Sequence, residues 1–467
     1  MSELIKKNKI FFFLFTFFSL TNFSQYYFLQ TNFYDFGLFL NNLYKIYNGE
    51  LENLIFPYIS IFKFFFSKIF WISKEYTPYI LISIKSLILA SPLLIFKYRE
   101  ERIIYTIFLP LHYFSFFNYN LDYLFVPLSL IFFYKIKNIK YIYFFFFTSY
   151  LIKSTISFYL FFYLIYYYIK TKDLKNFLII KIILIIGFIF SLYVIYNYKI
   201  FSEYSDFYLY KNQITENFLL KIFVILKENF LSNLNISLFS TIIIILILFG
   251  INTQKNLLYI FFIPHFFFIA FGSEQFGKIN NHYLIPIFAP IFISFIKNYK
   301  NFKILNLSLI IFMLISFNPY PFSIVNLTWK NNLSLDNYLN EDHKIKSEIL
   351  KITDIENKII SVENSLNYYP LYLANNLLSF PLAVNKVHKQ KKNNIIKEFR
   401  ADYVIIKNIN SNIKRKFYND LSLCNYSYNN CHNSEIKYKY IYQIKLLNKF
   451  YDKINNNGYV IYKKKIK

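Results

Sequence analysis

Glycine is scarce in this chain, with 7 in 467 residues, where ordinary usage is about 7% of positions. That excludes a collagen-like chain. Two cysteines exclude a disulfide-dense secreted scaffold. No zinc-ligand spacing, phosphate-cradling glycine loop, dinucleotide fingerprint or nucleophile elbow occurs in the sequence. The lack of a nucleotide motif argues against ATP-driven transport. Acidic residues are also few: 26 Asp and Glu stand against 52 Lys and Arg, a formal net charge of +26.

Aromatic residues fill the gap, with 60 Phe and 46 Tyr. Hydrophobic residues make up 56% of the chain and the mean hydropathy is +0.32, which excludes a disordered chain. Phe, Tyr, Ile, Asn and Lys share codons rich in A and T. Most of the aromatic and lysine excess therefore reads as coding bias, and only its placement is informative.

A membrane helix needs about 20 predominantly apolar residues. The first such run is Ile10–Leu29, preceded by Lys6, Lys7 and Lys9. No small-residue cleavage site follows it, so it reads as an uncleaved span with its basic end in the cytoplasm. Further spans fall at 77–96, 103–119, 121–135, 139–153, 155–170, 176–197, 233–251, 257–272, 282–297 and 303–319, about eleven in all. With the N-terminus inside, the cytoplasmic loops carry Lys97/Arg99/Arg102, Lys135/Lys137/Lys140, Lys170/Lys172/Lys175, Lys255 and Lys297/Lys300/Lys303. This parity requires segment 54–72 to stay out of the spanning set. Lys63, Lys68 and Pro57 suit it to a helix lying in the interface.

The expected fold is an α-helical polytopic membrane protein over residues 1–322, with a first outer loop at 30–76. A small α/β extracytoplasmic domain follows over 323–467, where short apolar runs (KIISV at 358–362, YVIIK at 403–407, YVIY at 459–462) read as strands. The expected location is the cell membrane, multi-pass, with the N-terminus cytoplasmic and the C-terminal domain outside. On that side the basic tail meets lipid headgroups and not nucleic acid.

Five residues gather on the outer face of this topology. Asp35 lies just beyond the first span, where a partly desolvated carboxylate can act as a base toward a hydroxyl, or alternatively cap a helix. Asp122 lies at the outer turn between the third and fourth spans, with the same two readings. Lys153, Lys278 and His282 sit in other outer turns, where they can bind a phosphate or, for the lysines, snorkel to the interface. His112 and His265 fall within spans. Cys424 and Cys431, with six residues between them, can close a small disulfide loop or remain free.

With these residues in view, the chain resembles domain-of-unknown-function family 2079 of prokaryotic membrane proteins, itself similar to the GT-C glycosyltransferase superfamily. Tyr34-Asp35-Phe36-Gly37-Leu38-Phe39 is similar to the family's aromatic-Asp-Leu-Gly-Ile-Phe signature, and Asn41 stands where that pattern has Gln. Asn120-Leu121-Asp122 with Pro127 resembles a His-Pro-Glu segment with the His lost. Lys153 matches a Lys-Glu-Asp element in which Ser154 and Thr155 replace the acids. His282-Tyr283 with Pro286 resembles the start of a late span. In the tail, Ser361 to Leu366, Pro370 to Ala374, Phe380-Pro381, Ala401 to Val404 and Asn457-Gly458-Tyr459 follow the family's order. The pattern departs at Leu54, where a His is expected, and near Asn375, where an Arg is expected.

The resemblance implies a GT-C-like fold and an inverting transfer of a hexose or pentose from a polyprenyl-phosphate donor to a cell-envelope glycan, lipid or protein on the outer face. It implies Asp35 as the base and Asp122 as the residue orienting the acceptor or a divalent metal. Lys153, Lys278 and His282 would face the departing phosphate. No cofactor beyond that divalent metal is assigned. Two alternatives stand beside it: a transporter or flippase of a lipid-linked glycan, and a non-catalytic assembly protein of the same fold.

Overall fold

Helix length limits what an apolar run can do, because each residue adds only about 1.5 Å of rise against a hydrocarbon core of about 30 Å. The computed structural model describes residues 8–27, 36–54, 60–107, 121–152, 156–197, 260–261, 263–264, 285–299, 346–363, 369–380, 401–407, 447–456 and 459–465. Its helices are α1 (Lys9–Tyr27), α2 (Leu38–Tyr47), α3 (Phe62–Ser67), α4 (Thr77–Ala90), α5 (Pro92–Ile95), α6 (Arg99–Ile107), α7 (Phe125–Tyr134), α8 (Ile139–Ile152), α9 (Ser157–Thr171), α10 (Leu174–Asn197) and α11 (Ile285–Tyr299).

The expected eleven-span, GT-C-like polytopic architecture is corrected by these lengths. Among the described residues, one helical stretch, Thr77–Ile95, is long and apolar enough to cross a membrane. The run read as a span at 121–135 is a 3-10 turn (Leu121–Leu124) followed by α7, a helix of 10 residues. The run at 139–153 is α8, of 14 residues. At 103–119 the described part is α6, which opens with Arg99, Glu100, Glu101 and Arg102. The proposed spans at 233–251 and 303–319 lie outside the described residues, as do Cys424 and Cys431.

The physical reason is that hydropathy scores burial in protein and burial in lipid alike. Many of the aromatic residues that raised the score pack on one another. Phe132 lies 4.7 Å from Phe145 and 5.1 Å from Tyr163, and Tyr163 lies 4.6 Å from Phe261, centroid to centroid, all four fully buried. Such pairs add about 0.5–1.5 kcal/mol each beyond the area they bury.

The chain divides into two compact units. The first comprises Met1–Leu20, Leu51–Phe66 and Tyr79–Thr328, and the second Thr21–Glu50, Ser67–Pro78 and Trp329–Lys467. In the first unit, buried tyrosines satisfy backbone carbonyls. Tyr163 Oη donates to Pro286 O at 2.7 Å, and Tyr105 Oη donates to Leu89 O at 2.7 Å. Tyr150 Oη donates to Gly187 O, and a Cβ at Gly187 would meet the Tyr150 ring at 2.8 Å, so a larger residue there would have to push the ring aside. The turn from α9 to α10 places Lys172 in the left-handed region (φ 57°). Asp173 then accepts from the Asn176 backbone N–H at 3.2 Å and from Tyr167 Oη at 2.9 Å.

The second unit holds a five-stranded mixed sheet in the order β2-β1-β3-β5-β4, with β1 at Ile359–Glu363, β2 at Asn376–Phe380, β3 at Tyr403–Lys407, β4 at Tyr451–Asn456 and β5 at Tyr459–Lys464. β1 runs parallel to β2 and β3, and β5 runs antiparallel to β3 and β4. Asp402 pins the start of the central pair. Its Oδ2 accepts from Ile359 N–H at 2.8 Å, its own N–H donates to Ile359 O at 2.7 Å, and its carbonyl accepts from Lys464 N–H at 2.9 Å. Ile360, Val362, Val404, Ile405, Val460 and Ile461 are buried on the strands.

Candidate functional site

The alternation of apolar and polar residues in Leu38-Phe-Leu-Asn-Asn-Leu-Tyr-Lys-Ile-Tyr47 gives α2 one buried face: Phe39, Leu40, Leu43, Tyr44 and Ile46. The helix stops in a Schellman motif. Gly49, at φ 98°, donates to Ile46 O at 3.1 Å, and Glu50 N–H donates to Lys45 O at 2.9 Å.

Asn41 lies on the buried side of α2, and its amide Nδ2 donates to two backbone carbonyls, Tyr372 O at 3.0 Å and Ala374 O at 2.8 Å. Both acceptors belong to the short 3-10 turn Leu371–Leu373 and its exit, which leads into β2. One turn along α2, Lys45 Nζ donates to Asn376 Oδ1 at 3.4 Å. Burial holds the Lys45 amine below its usual value, and nearby Glu50 partly restores it.

Residues 67–78 close the other side of this cluster. Tyr372 Oη donates to Lys74 O at 2.6 Å. Lys74 Nζ reaches Glu356 Oε1 at 2.6 Å and Tyr44 Oη at 3.2 Å. Phe70 is buried between Tyr44 (5.4 Å) and Tyr372 (6.2 Å). The hydrogen bond to Glu356 raises the Lys74 pKa to about 12, and the Lys74 ammonium holds the Glu356 carboxyl below its usual range. Burial, the largest cause, raises the Tyr44 phenol.

These shifts have a definite consequence with pH. The raised Lys74 contributes stability that is full below its unfolded value of 10.5 and is lost as pH rises through about 12. The depressed Glu356 contributes stability present above its unfolded value of 4.5 and lost as pH falls through its lower folded value. Both side chains are 40–50% exposed, so solvent screening limits the pair to about 0.2–1 kcal/mol. Thermal melts of wild type and Glu356→Gln are therefore expected to differ by that amount near pH 7 and to converge at the acid end. A difference that persists below pH 3 would show that the carboxylate charge is not its source.

Of the five residues singled out from sequence, Asp122 is within the described residues; Asp35, Lys153, Lys278 and His282 lie outside them. Asp122 belongs to the first unit, in a 3-10 turn whose four residues are all buried, and is 4% exposed. It stands within that turn, three positions before α7 begins at Phe125. A carboxylate taken out of water costs at least several kcal/mol unless its surroundings compensate, more than an uncharged polar group does. Lys63 and Lys85 are likewise buried, Lys63 donating to Asn53 O at 3.3 Å. Sequence reading took Lys63 as an interfacial residue and passed over Lys85. Among the described residues, no group of three His, Cys, Asp or Glu side chains converges to hold a metal ion.

Sequence reading placed Asn41 by its position in a pattern but did not foresee its partners. It also missed the Lys74–Glu356 pair, whose members stand 282 positions apart. A polar amide inside an otherwise apolar helical face was the available signal for Asn41, since buried amides are bonded to something. Comparison with family models, with curated proteins and with solved structures finds no match to this chain.

Proposed function

We propose that the protein is a membrane glycosyltransferase that moves a sugar from a polyprenyl-phosphate donor to a cell-envelope acceptor. The observation that supports this reading most is Asn41. It stands in the stretch similar to the aromatic-Asp-Leu-Gly-Ile-Phe signature, and its amide is bonded to Tyr372 and Ala374 in the stretch similar to the Pro-His-Leu-Ser element. Two motifs chosen on order alone, more than 300 residues apart, meet in one buried contact.

In the proposed reaction Asp35 takes the proton of the acceptor hydroxyl. The acceptor oxygen bonds to the anomeric carbon as the bond from that carbon to the phosphate oxygen breaks. The lipid phosphate leaves with the electron pair, and the anomeric configuration inverts. Cationic side chains, for which Lys153, Lys278 and His282 are the nominees, neutralise the phosphate. Asp122 keeps the acceptor-orienting role that the resemblance implies.

The location proposed is the cell membrane, with residues 67–78 on the outer face. Thr77–Ile95 is the apolar stretch that supports this, and Lys97, Arg99 and Arg102 follow its C-terminal end. The outer placement of the Thr77 end follows the resemblance, since Lys63, Lys68 and Lys74 before the stretch balance the basic residues after it.

The test is transfer by the purified protein in liposomes, using polyprenyl-phosphate hexose and pentose donors and scoring a new glycosidic bond. Wild type is expected to form product and Asp122→Asn to form less. Donor carried across the bilayer with no new bond would replace this reading by transport. Folded protein that forms no product from any donor would also overturn it.

A further inference from the structure

We propose that the turn spanning residues 68–76 is a bilayer-contact element, which seats the second unit on the headgroup layer of a phospholipid membrane. Within six residues it exposes three large side chains: Trp71 (70% exposed), Ile72 (72%) and Tyr76 (59%). Single exposed apolar residues are ordinary on a protein surface, but Trp71 and Ile72 exposed side by side in sequence, with Tyr76 four positions on, are a local group of the kind that marks a contact.

Chain continuity identifies what covers it. The next residue, Thr77, opens the stretch Thr77–Ile95, which is long and apolar enough to cross a membrane. Six residues of extended chain reach at most about 20 Å, so Trp71 to Tyr76 stay close to the surface of any bilayer that this helix enters, with Tyr76 directly at the helix end. Trp and Tyr prefer the interfacial zone because an apolar ring with one polar atom is half wet and half dry there. Lys68 completes the arrangement, with Nζ 4.7 Å from the Trp71 ring centroid. An ammonium on a long stem can lie along the ring while its charge meets lipid phosphates.

The same turn is fixed from behind. Phe70 is buried among Tyr44, Tyr47 and Tyr372, and Lys74 is bonded to Glu356 and Tyr44. The exposed side chains are therefore presented by a rigid backing, and the membrane contact carries the orientation of the whole unit with it. The inference rests on the membrane location given above, though not on any sugar chemistry.

Trp71 and Trp329 are the two tryptophans of the chain, so Trp329→Phe leaves Trp71 as the sole reporter. In proteoliposomes its emission is expected to be quenched strongly by phospholipids brominated near the headgroup end of the acyl chain, and weakly by acrylamide. Full acrylamide access without bromolipid quenching would overturn the proposal. So would a shielded Trp71 that becomes accessible on dilution to monomer, which would assign the surface to a second copy. Carbonate extraction separates the two readings. Protein that stays in the pellet and is quenched by bromolipid yet transfers no sugar removes the enzyme reading alone. Protein released by carbonate removes the membrane location on which both rest.

Discussion

Asp35→Asn protein, reconstituted with a polyprenyl-phosphate sugar and acceptor, is expected to transfer sugar about 10²–10⁴-fold more slowly than wild type, the usual range for loss of a positioned general base. The amide has nearly the shape of the carboxylate but accepts no proton, so binding of donor should change little while kcat falls. Asp35→Glu keeps the carboxylate and is expected to recover part of the rate. The pH–rate profile separates chemistry from structure: the acid limb of wild type should vanish in Asp35→Asn and survive in Asp35→Glu. Unimpaired transfer by Asp35→Asn would remove Asp35 as the base. Equal unfolding of wild type and variant is the control that makes a lost rate chemical.

Asn41→Leu is the second large effect. Leucine keeps the branched outline on α2 but leaves the carbonyls of Tyr372 and Ala374 without the donor they now share. Each buried acceptor left unsatisfied costs about 1–3 kcal/mol. The sum, about 2–6 kcal/mol, is a large share of the 5–15 kcal/mol or so that holds an ordinary domain together. Chemical denaturation followed by near-ultraviolet circular dichroism should show the loss. Asn41→Asp should be worse than Leu, because it sets a third acceptor against two. Asn41→Gln retains the donor and should fall between wild type and Leu. A Leu variant as stable as wild type would mean that water or another donor serves the two carbonyls.

Strands were legible where their pattern was local. Runs 358–362, 403–407 and 459–462 coincide with β1, β3 and β5, because β-branched and aromatic residues in short apolar runs mark buried strands. β4, Tyr-Asp-Lys-Ile-Asn-Asn, was not legible: it is an edge strand, and edges carry the charged residues that discourage further pairing. β2 was hidden for another reason, since Asn376-Leu-Leu-Ser-Phe380 reads equally well as a helical fragment.

Helices failed at a different level. Phe132, Phe145 and Tyr163 fell inside the expected spans 121–135, 139–153 and 155–170 and are buried against each other, and periodicity alone holds no term for what a side chain meets. The site was legible as residue types and order, which picked out Asn41 and the Pro370 to Ala374 stretch. Their contact was not, because nothing local encodes a pairing across 331 positions.

That separation also sets a schedule. Ribosomes add about 5–20 residues per second, so Asn41 precedes its acceptor at Tyr372 by 331 positions, or roughly 15–70 s. Throughout that interval Leu40 and Leu43, fully buried in the finished protein, have no partner from the sheet-bearing segment. The first helix of the second unit is thus an early-made part of a late-closing structure, and nascent-chain capture or protease nicking during synthesis should concentrate there.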